Sequence, residues 1–144
     1  MLPVQLLKDR RPFDDTRSYH SICRLRIIKL HDIFEMHPID MTLKLTKTPP
    51  ENFCRPSVDP MLRSATEACQ GRVLVAMLTG MGQDGLAGTR RVVEAGGSAI
   101  AQDEATSVVW GMPGAVANAG LCVAVLPLPR IAQKLLDMLR GSRA

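Results

Sequence analysis

The chain has 144 residues, 46% of them hydrophobic and 22% charged, with aromatics at 3% and a formal net charge of +4 at pH 7. That length holds one ordinary domain rather than two, and the balance is that of a globular core built on Leu, Val, Ile, Ala and Met, which excludes a disordered or fibrous chain. The mild positive charge comes without a basic stripe interleaved with aromatics, so nucleic acid is not an expected partner, and no apolar run approaches the roughly 20 residues of a membrane helix.

Residues 1–40 show no steady hydrophobic period; the apolar stretch from Ile22 to Leu30 suits a strand or a short helix equally. Their charges follow a short apolar run with no small-residue cleavage site, the wrong order for a secretory signal, and the chain reads as cytoplasmic. From Met41, "MTLKLT" alternates apolar and polar residues as a half-buried strand does. "KTPPENFCRP" is a turn-rich connector, because adjacent prolines forbid regular pairing. In "SVDPMLRSATEACQG", Val58, Met61, Leu62 and Ala65 recur at helical spacing, Ser57 stands where an N-cap hydroxyl belongs, and Gly71 can close the end. "RVLVAMLT" is the continuous apolar run of a strand buried on both faces in a parallel sheet.

"GLAGTRRVVEAGG" predicts a helix ended by glycine, "SAIAQ" the next strand, and "CVAVLP" a third. Between the last two, "DEATSVVWGMPGAVANAG" predicts one helical turn opened by Asp103 and Glu104, a Gly-Met-Pro break, and a helix with Pro113 in its first turn. Trp110 is expected to pack near the cleft, and Met112 in the core. "LPRIAQKLLDMLRG" places Ile131, Leu135, Leu136 and Leu139 on one helical face.

The loop "LTGMGQDGLAG" carries Gly80, Gly82 and Gly85 in the spacing G-x-G-x-x-G, between a predicted strand and a predicted helix. Glycines so placed can bring backbone amides to a pyrophosphate, and Asp103 and Glu104 follow about 20 residues on, where a ribose-binding acid would lie. Asp84, however, sits inside the loop, and a carboxylate there repels a pyrophosphate. In an open α/β sheet the active site lies beyond the carboxyl ends of the strands whatever the chemistry, and Asp84 occupies that place. His20, His31 and His37 read as surface histidines, and His20 with Cys23 is a lone H-x-x-C, too little for a zinc site. Cys23, Cys54, Cys69 and Cys122 form no C-x-x-C pair and read as free thiols.

"PPENFCRPSVDPMLRSA", "VAMLTGMGQDGLAG", "EAGGSAIAQDEATSVVWGMPGAV" and "VLPLPRIAQKL" occur in this order in the catalytic domain of chemotaxis protein-glutamate methylesterases, and from Met41 to Arg140 the chain resembles that CheB family. The resemblance implies an α/β fold with a doubly wound, mostly parallel, three-layer sheet, here truncated at its N-terminal half: residues 1–40 as an unmatched leader and 41–144 as the C-terminal part of the domain. It implies hydrolysis of glutamate methyl esters, and deamidation of glutamines, on the cytoplasmic helices of chemoreceptors, by a serine-hydrolase mechanism that uses no cofactor or metal. Asp84 matches the family's triad acid, and Met81 the residue whose backbone amide helps form the oxyanion hole. The family's nucleophile turn, "G-A-S-T-G-G", and its histidine segment, of "Q-H-M" type, do not occur in the 144 residues, nor does the receiver domain that usually precedes the esterase. The expectation is therefore a chain inactive alone, with a noncatalytic receptor- or partner-binding module as the alternative, and with self-association through an exposed sheet edge.

Overall fold

The computed structural model describes residues 33–36, 43–46 and 48–140. Strands β1 (Ile33–Met36) and β2 (Leu43–Thr46) form an antiparallel pair, with Ile33 opposite Thr46 and Met36 opposite Leu43. The strand expected from "MTLKLT" is thus present, and it pairs with a segment whose sequence showed no clear period. The apolar stretch from Ile22 to Leu30 lies outside the described residues.

Helix α1 (Val58–Ala68) lies against β1 and buries Leu62 and Ala65. It ends as the sequence predicts: Gln70 and Gly71 turn through φ of 52° and 78°, and the Gly71 N–H returns to the Thr66 carbonyl at 2.8 Å. That bond satisfies a carbonyl left over by the last helical turn.

The rest of the chain alternates strand and helix: β3 (Leu74–Met77), α2 (Leu86–Glu94), β4 (Ser98–Gln102), α3 (Met112–Asn118), β5 (Ala124–Leu126) and α4 (Leu128–Leu139). The three strands are parallel in the order β3-β4-β5, with Leu74 opposite Ser98 and Ile100 opposite Ala124. Parallel neighbours need a crossover rather than a hairpin, and α2 and α3 supply the two crossovers.

The central strand shows why the fold is layered. Ala99, Ile100 and Ala101 are all fully buried although successive side chains of a strand point to opposite faces, so both faces of β4 are covered. On one face Ala99 and Ala101 join Val75, Met77, Leu62, Val92 and Val116, the core that α1, α2 and α3 close. Ile100 points the other way, where α4 contacts β4 and buries Ile131. Burial of a Val or Ile side chain stabilises by roughly 1.5–3 kcal/mol, so these residues hold the sheet together. The class is the one expected, a parallel α/β sheet with helices on both faces. The expected apolar face of α4 is only partly used: Ile131 is buried, whereas Leu136 and Leu139 are exposed.

Candidate active site

The carboxyl end of β3 runs into residues 78–85, and this loop is tied down before it reaches Asp84. The Thr79 N–H donates to Oε1 of Gln102 at 3.0 Å, and the Thr79 hydroxyl both donates to the Val109 carbonyl and accepts from the Val109 N–H. Gly80 pairs with Trp110 as a short parallel bridge, its carbonyl accepting from the N–H groups of Gly111 and Met112. The two backbones approach so closely at Gly111 that a Cβ there would stand 2.7 Å from the Gly82 nitrogen.

Gln102, 1% exposed, is the hub of this arrangement: its Nε2 donates to the Thr106 carbonyl at 2.6 Å, and its own carbonyl accepts from the Trp110 indole N–H at 3.1 Å. Trp110 and Met112 therefore sit as the sequence predicts, Trp110 against Gly114 of α3 and Met112 partly buried on the core. The predicted helical turn after β4 does not form. Asp103 takes the Thr106 N–H and hydroxyl at 3.0 and 2.6 Å, the bond with which a helix would start, but the segment stays a single turn. Glu104 is exposed in the same turn.

Asp84 itself is 5% exposed and surrounded by donors. Its Oδ1 accepts from Ser57 Oγ at 2.7 Å, Asn52 Nδ2 at 3.1 Å and the Asp59 N–H at 3.3 Å, and its Oδ2 accepts from the Val58 N–H at 2.7 Å. Ser57 does occupy the N-cap position of α1, but its side chain makes no cap bond; the expectation that its hydroxyl caps the helix is corrected. The cap is Asp84, which reaches in from 26 residues along the chain. A carboxylate at a helix N-terminus also meets the positive end of the helix dipole.

The favour is returned. Asp59, 3% exposed in the first turn of α1, accepts from the Gly88 N–H in the first turn of α2 at 2.6 Å. Gly85, at φ of 89°, starts α2 in a conformation that a side chain disfavours, and the Leu86 N–H is taken by the Gln83 carbonyl. The Leu86 and Gly88 N–H groups, which the start of α2 would offer to a phosphate, are thus committed to protein acceptors. Met81 lies at the tip of this loop with its side chain 83% exposed, and no acceptor among the described residues takes its N–H.

Asn52, Asp59, Thr79 and Gln102 were not singled out by the sequence. Their only signal is a polar residue in an otherwise apolar or turn segment, which does not say what it bonds. His20, His31, His37 and Cys23 lie outside the described residues; Cys54, Cys69 and Cys122 are free thiols, and burial pushes the Cys122 thiol up. Among the described residues no group of His, Cys, Asp and Glu is arranged to hold a metal ion.

A model of the CheB methylesterase family matches residues 18–135. The protein-glutamate methylesterase/protein-glutamine glutaminase 1 of Paramagnetospirillum magneticum is 63% identical over 102 residues, 71% of this chain and 27% of that protein. Its counterpart in Azospirillum brasilense is 70% identical over 90 residues, 62% of this chain and 23% of that protein. The crystal structure of the Thermotoga maritima CheB methylesterase catalytic domain superposes with a TM-score of 0.69 and 36% identity, covering 76% of this chain and 58% of that one. The chain spans about a quarter of the length of the curated relatives it matches.

Proposed function

This chain belongs to the CheB methylesterase family, and from that we propose that residues 41–144 are the C-terminal part of a protein-glutamate methylesterase domain, with Asp84 as its triad acid and the Met81 N–H as an oxyanion-hole donor. The observation that carries the proposal is the state of Asp84: a buried carboxylate beyond the carboxyl end of a parallel strand, held by four donors, with a backbone N–H three residues before it that no acceptor among the described residues takes. A carboxylate so fixed can orient a histidine and stabilise the imidazolium that forms when a serine is deprotonated. A backbone N–H without an acceptor can meet the oxyanion of a tetrahedral intermediate. The substrates on this reading are methyl esters and amides of glutamate side chains on the cytoplasmic helices of chemoreceptors, and the place of action is the cytoplasm. No helix among the described residues is long and apolar enough to cross a membrane.

Neither the "G-A-S-T-G-G" turn nor the "Q-H-M" segment occurs in the chain, so the proposed state is a catalytic half. Triad members act as a unit, and an acid and an oxyanion donor without nucleophile and base leave little acceleration. Methanol release from methylated receptor helices tests this. The chain alone is expected to give the buffer background, and addition of a polypeptide carrying the two absent segments is expected to give release that Asp84→Asn abolishes. Release by the chain alone overturns the incompleteness; release indifferent to Asp84→Asn overturns the role of the acid.

A second reading, a noncatalytic module that docks on receptor helices or on a second copy of itself, is favoured by two features. Met81 and Val108 expose large apolar side chains on loops beyond the strands, and β3 and β5 each have one strand neighbour among the described residues. Unpaired edges of this kind recruit another strand. Binding to receptor helices by an Asp84→Asn chain, or a dimer in sedimentation, supports it; a monomer that ignores the helices removes it.

A further inference from the structure

The segment before α1 turns sharply. Asn52 and Phe53 stand at φ of 52° and 60°, and the Cys54 N–H donates to the Glu51 carbonyl at 2.8 Å to close the turn. Two successive side-chain-bearing residues in the left-handed region are unfavourable, and such strain persists only where the surroundings impose it. Here the surroundings are visible. The two terminal nitrogens of the Arg63 guanidinium grip the Glu51 carboxylate at 2.9 and 2.6 Å, pinning the turn to α1. The Phe53 side chain is left wholly exposed, whereas the Asn52 amide is directed inward.

What that amide meets is a pair of buried carboxylates. Asn52 Nδ2 donates to Asp59 Oδ2 at 2.7 Å and to Asp84 Oδ1 at 3.1 Å, using both of its protons. Two carboxylates in one buried pocket repel each other, and a neutral donor shared between them relieves that repulsion without adding a charge. The bridge also fixes which oxygen of Asp84 is open. Oδ1 takes three donors and Oδ2 takes one, so Oδ2 is the oxygen with capacity left for a further N–H.

Resting on the reading of Asp84 as triad acid, we propose that Asn52 is a positioning residue: by bridging Asp59 and Asp84 it holds the Asp84 side chain in the single χ1 rotamer from which Oδ2 is presented to a histidine. Asn52 acts only through Asp84 and touches no reacting atom. The strained turn, its Arg63 anchor and the shared amide are then one device for aiming a carboxylate.

The test is carried out on the full chain labelled with carbon-13 and nitrogen-15. Three-bond couplings from the Asp84 carboxyl carbon to its own backbone nitrogen and carbonyl report the side-chain rotamer. The wild-type chain is expected to show the couplings of a single staggered rotamer. Asn52→Ala is expected to bring the larger coupling down to roughly half, as averaging over two wells requires, and Asn52→Gln, which keeps the amide on an exposed turn, to restore much of it. Should Asn52→Ala fail to fold, Asn52→Ser is read in the same way. Couplings of Asp84 unchanged in a folded Ala or Ser variant overturn the proposal. Because they are read without substrate, that outcome leaves the esterase reading standing, whereas hydrolysis indifferent to Asp84→Asn removes the esterase reading and leaves the couplings as measured.

Discussion

Replacing Asp84 by alanine should cost more stability than any other single polar truncation near the site. The side chain satisfies two N–H groups of the first turn of α1, the Ser57 hydroxyl and one proton of Asn52. Loss of an N-terminal cap costs about 1 kcal/mol. A buried hydroxyl left without its acceptor costs about 1–2 kcal/mol more, and Ser57 is 3% exposed. Against this, removing one of two neighbouring buried carboxylates recovers part of the desolvation cost of the charge. The net expectation is a loss of about 2–3 kcal/mol, a large share of the 5–15 kcal/mol typical of a domain, and a fall in Tm of roughly 10–20 °C. Urea unfolding followed by circular dichroism, with a thermal scan beside it, measures both. Ser57→Ala is the comparison: it removes one donor and leaves the cap in place, so about 1 kcal/mol is expected. If Ser57→Ala costs as much as Asp84→Ala, or if Asp84→Ala lies within about 0.5 kcal/mol of wild type, Asp84 is not what holds the start of α1.

Two further outcomes are expected. Thr89 is fully buried on α2 and its Oγ1 has no hydrogen-bond partner among the described residues, so Thr89→Val, nearly identical in shape, should stabilise by about 0.5–1.5 kcal/mol; a loss in urea unfolding would mean that the hydroxyl is satisfied after all. The hydrogen bonds from Arg63 hold the Glu51 carboxyl below its usual value of 4.5. Its depressed value means that the pair's contribution is present at neutral pH and is lost as pH falls through the folded-state value, below 4.5. Both side chains are well exposed, so that contribution is about 0.2–1 kcal/mol, and Glu51→Gln should lower stability at pH 7 by that amount and by progressively less as the pH falls through the folded-state value.

The strands and helices after Met41 were legible because each carries its own local pattern. "RVLVAMLT" contains β3, "SAIAQ" is β4, and the glycines at the end of "VVEAGG" stop α2 where they should. Two local expectations failed. At Ser57 the helix start was rightly placed, but the oxygen that caps it belongs to Asp84, and no spacing rule sees a partner 26 residues away. After β4 Asp103 does bond the Thr106 N–H as a helix start would, but the Thr106 carbonyl is taken by the Gln102 side chain and the segment stays a single turn. The motif around Asp84 singled it out as a candidate; nothing singled out Asn52, because its bonds to the two carboxylates exist only once the turn before α1 folds back over them.

The exchange of caps between α1 and α2 has a consequence for how the chain comes apart. Each helix begins on an acceptor that the other segment supplies, Asp84 for α1 and Asp59 for α2, across 26 and 29 residues of intervening chain. Neither helix can complete its first turn before loop closure has brought both segments together, and neither can fray from that end without uncapping its neighbour. Amide protons at the starts of the two helices should therefore exchange with solvent in a single cooperative opening, with one shared free energy. The rim of the site would open and close as one unit.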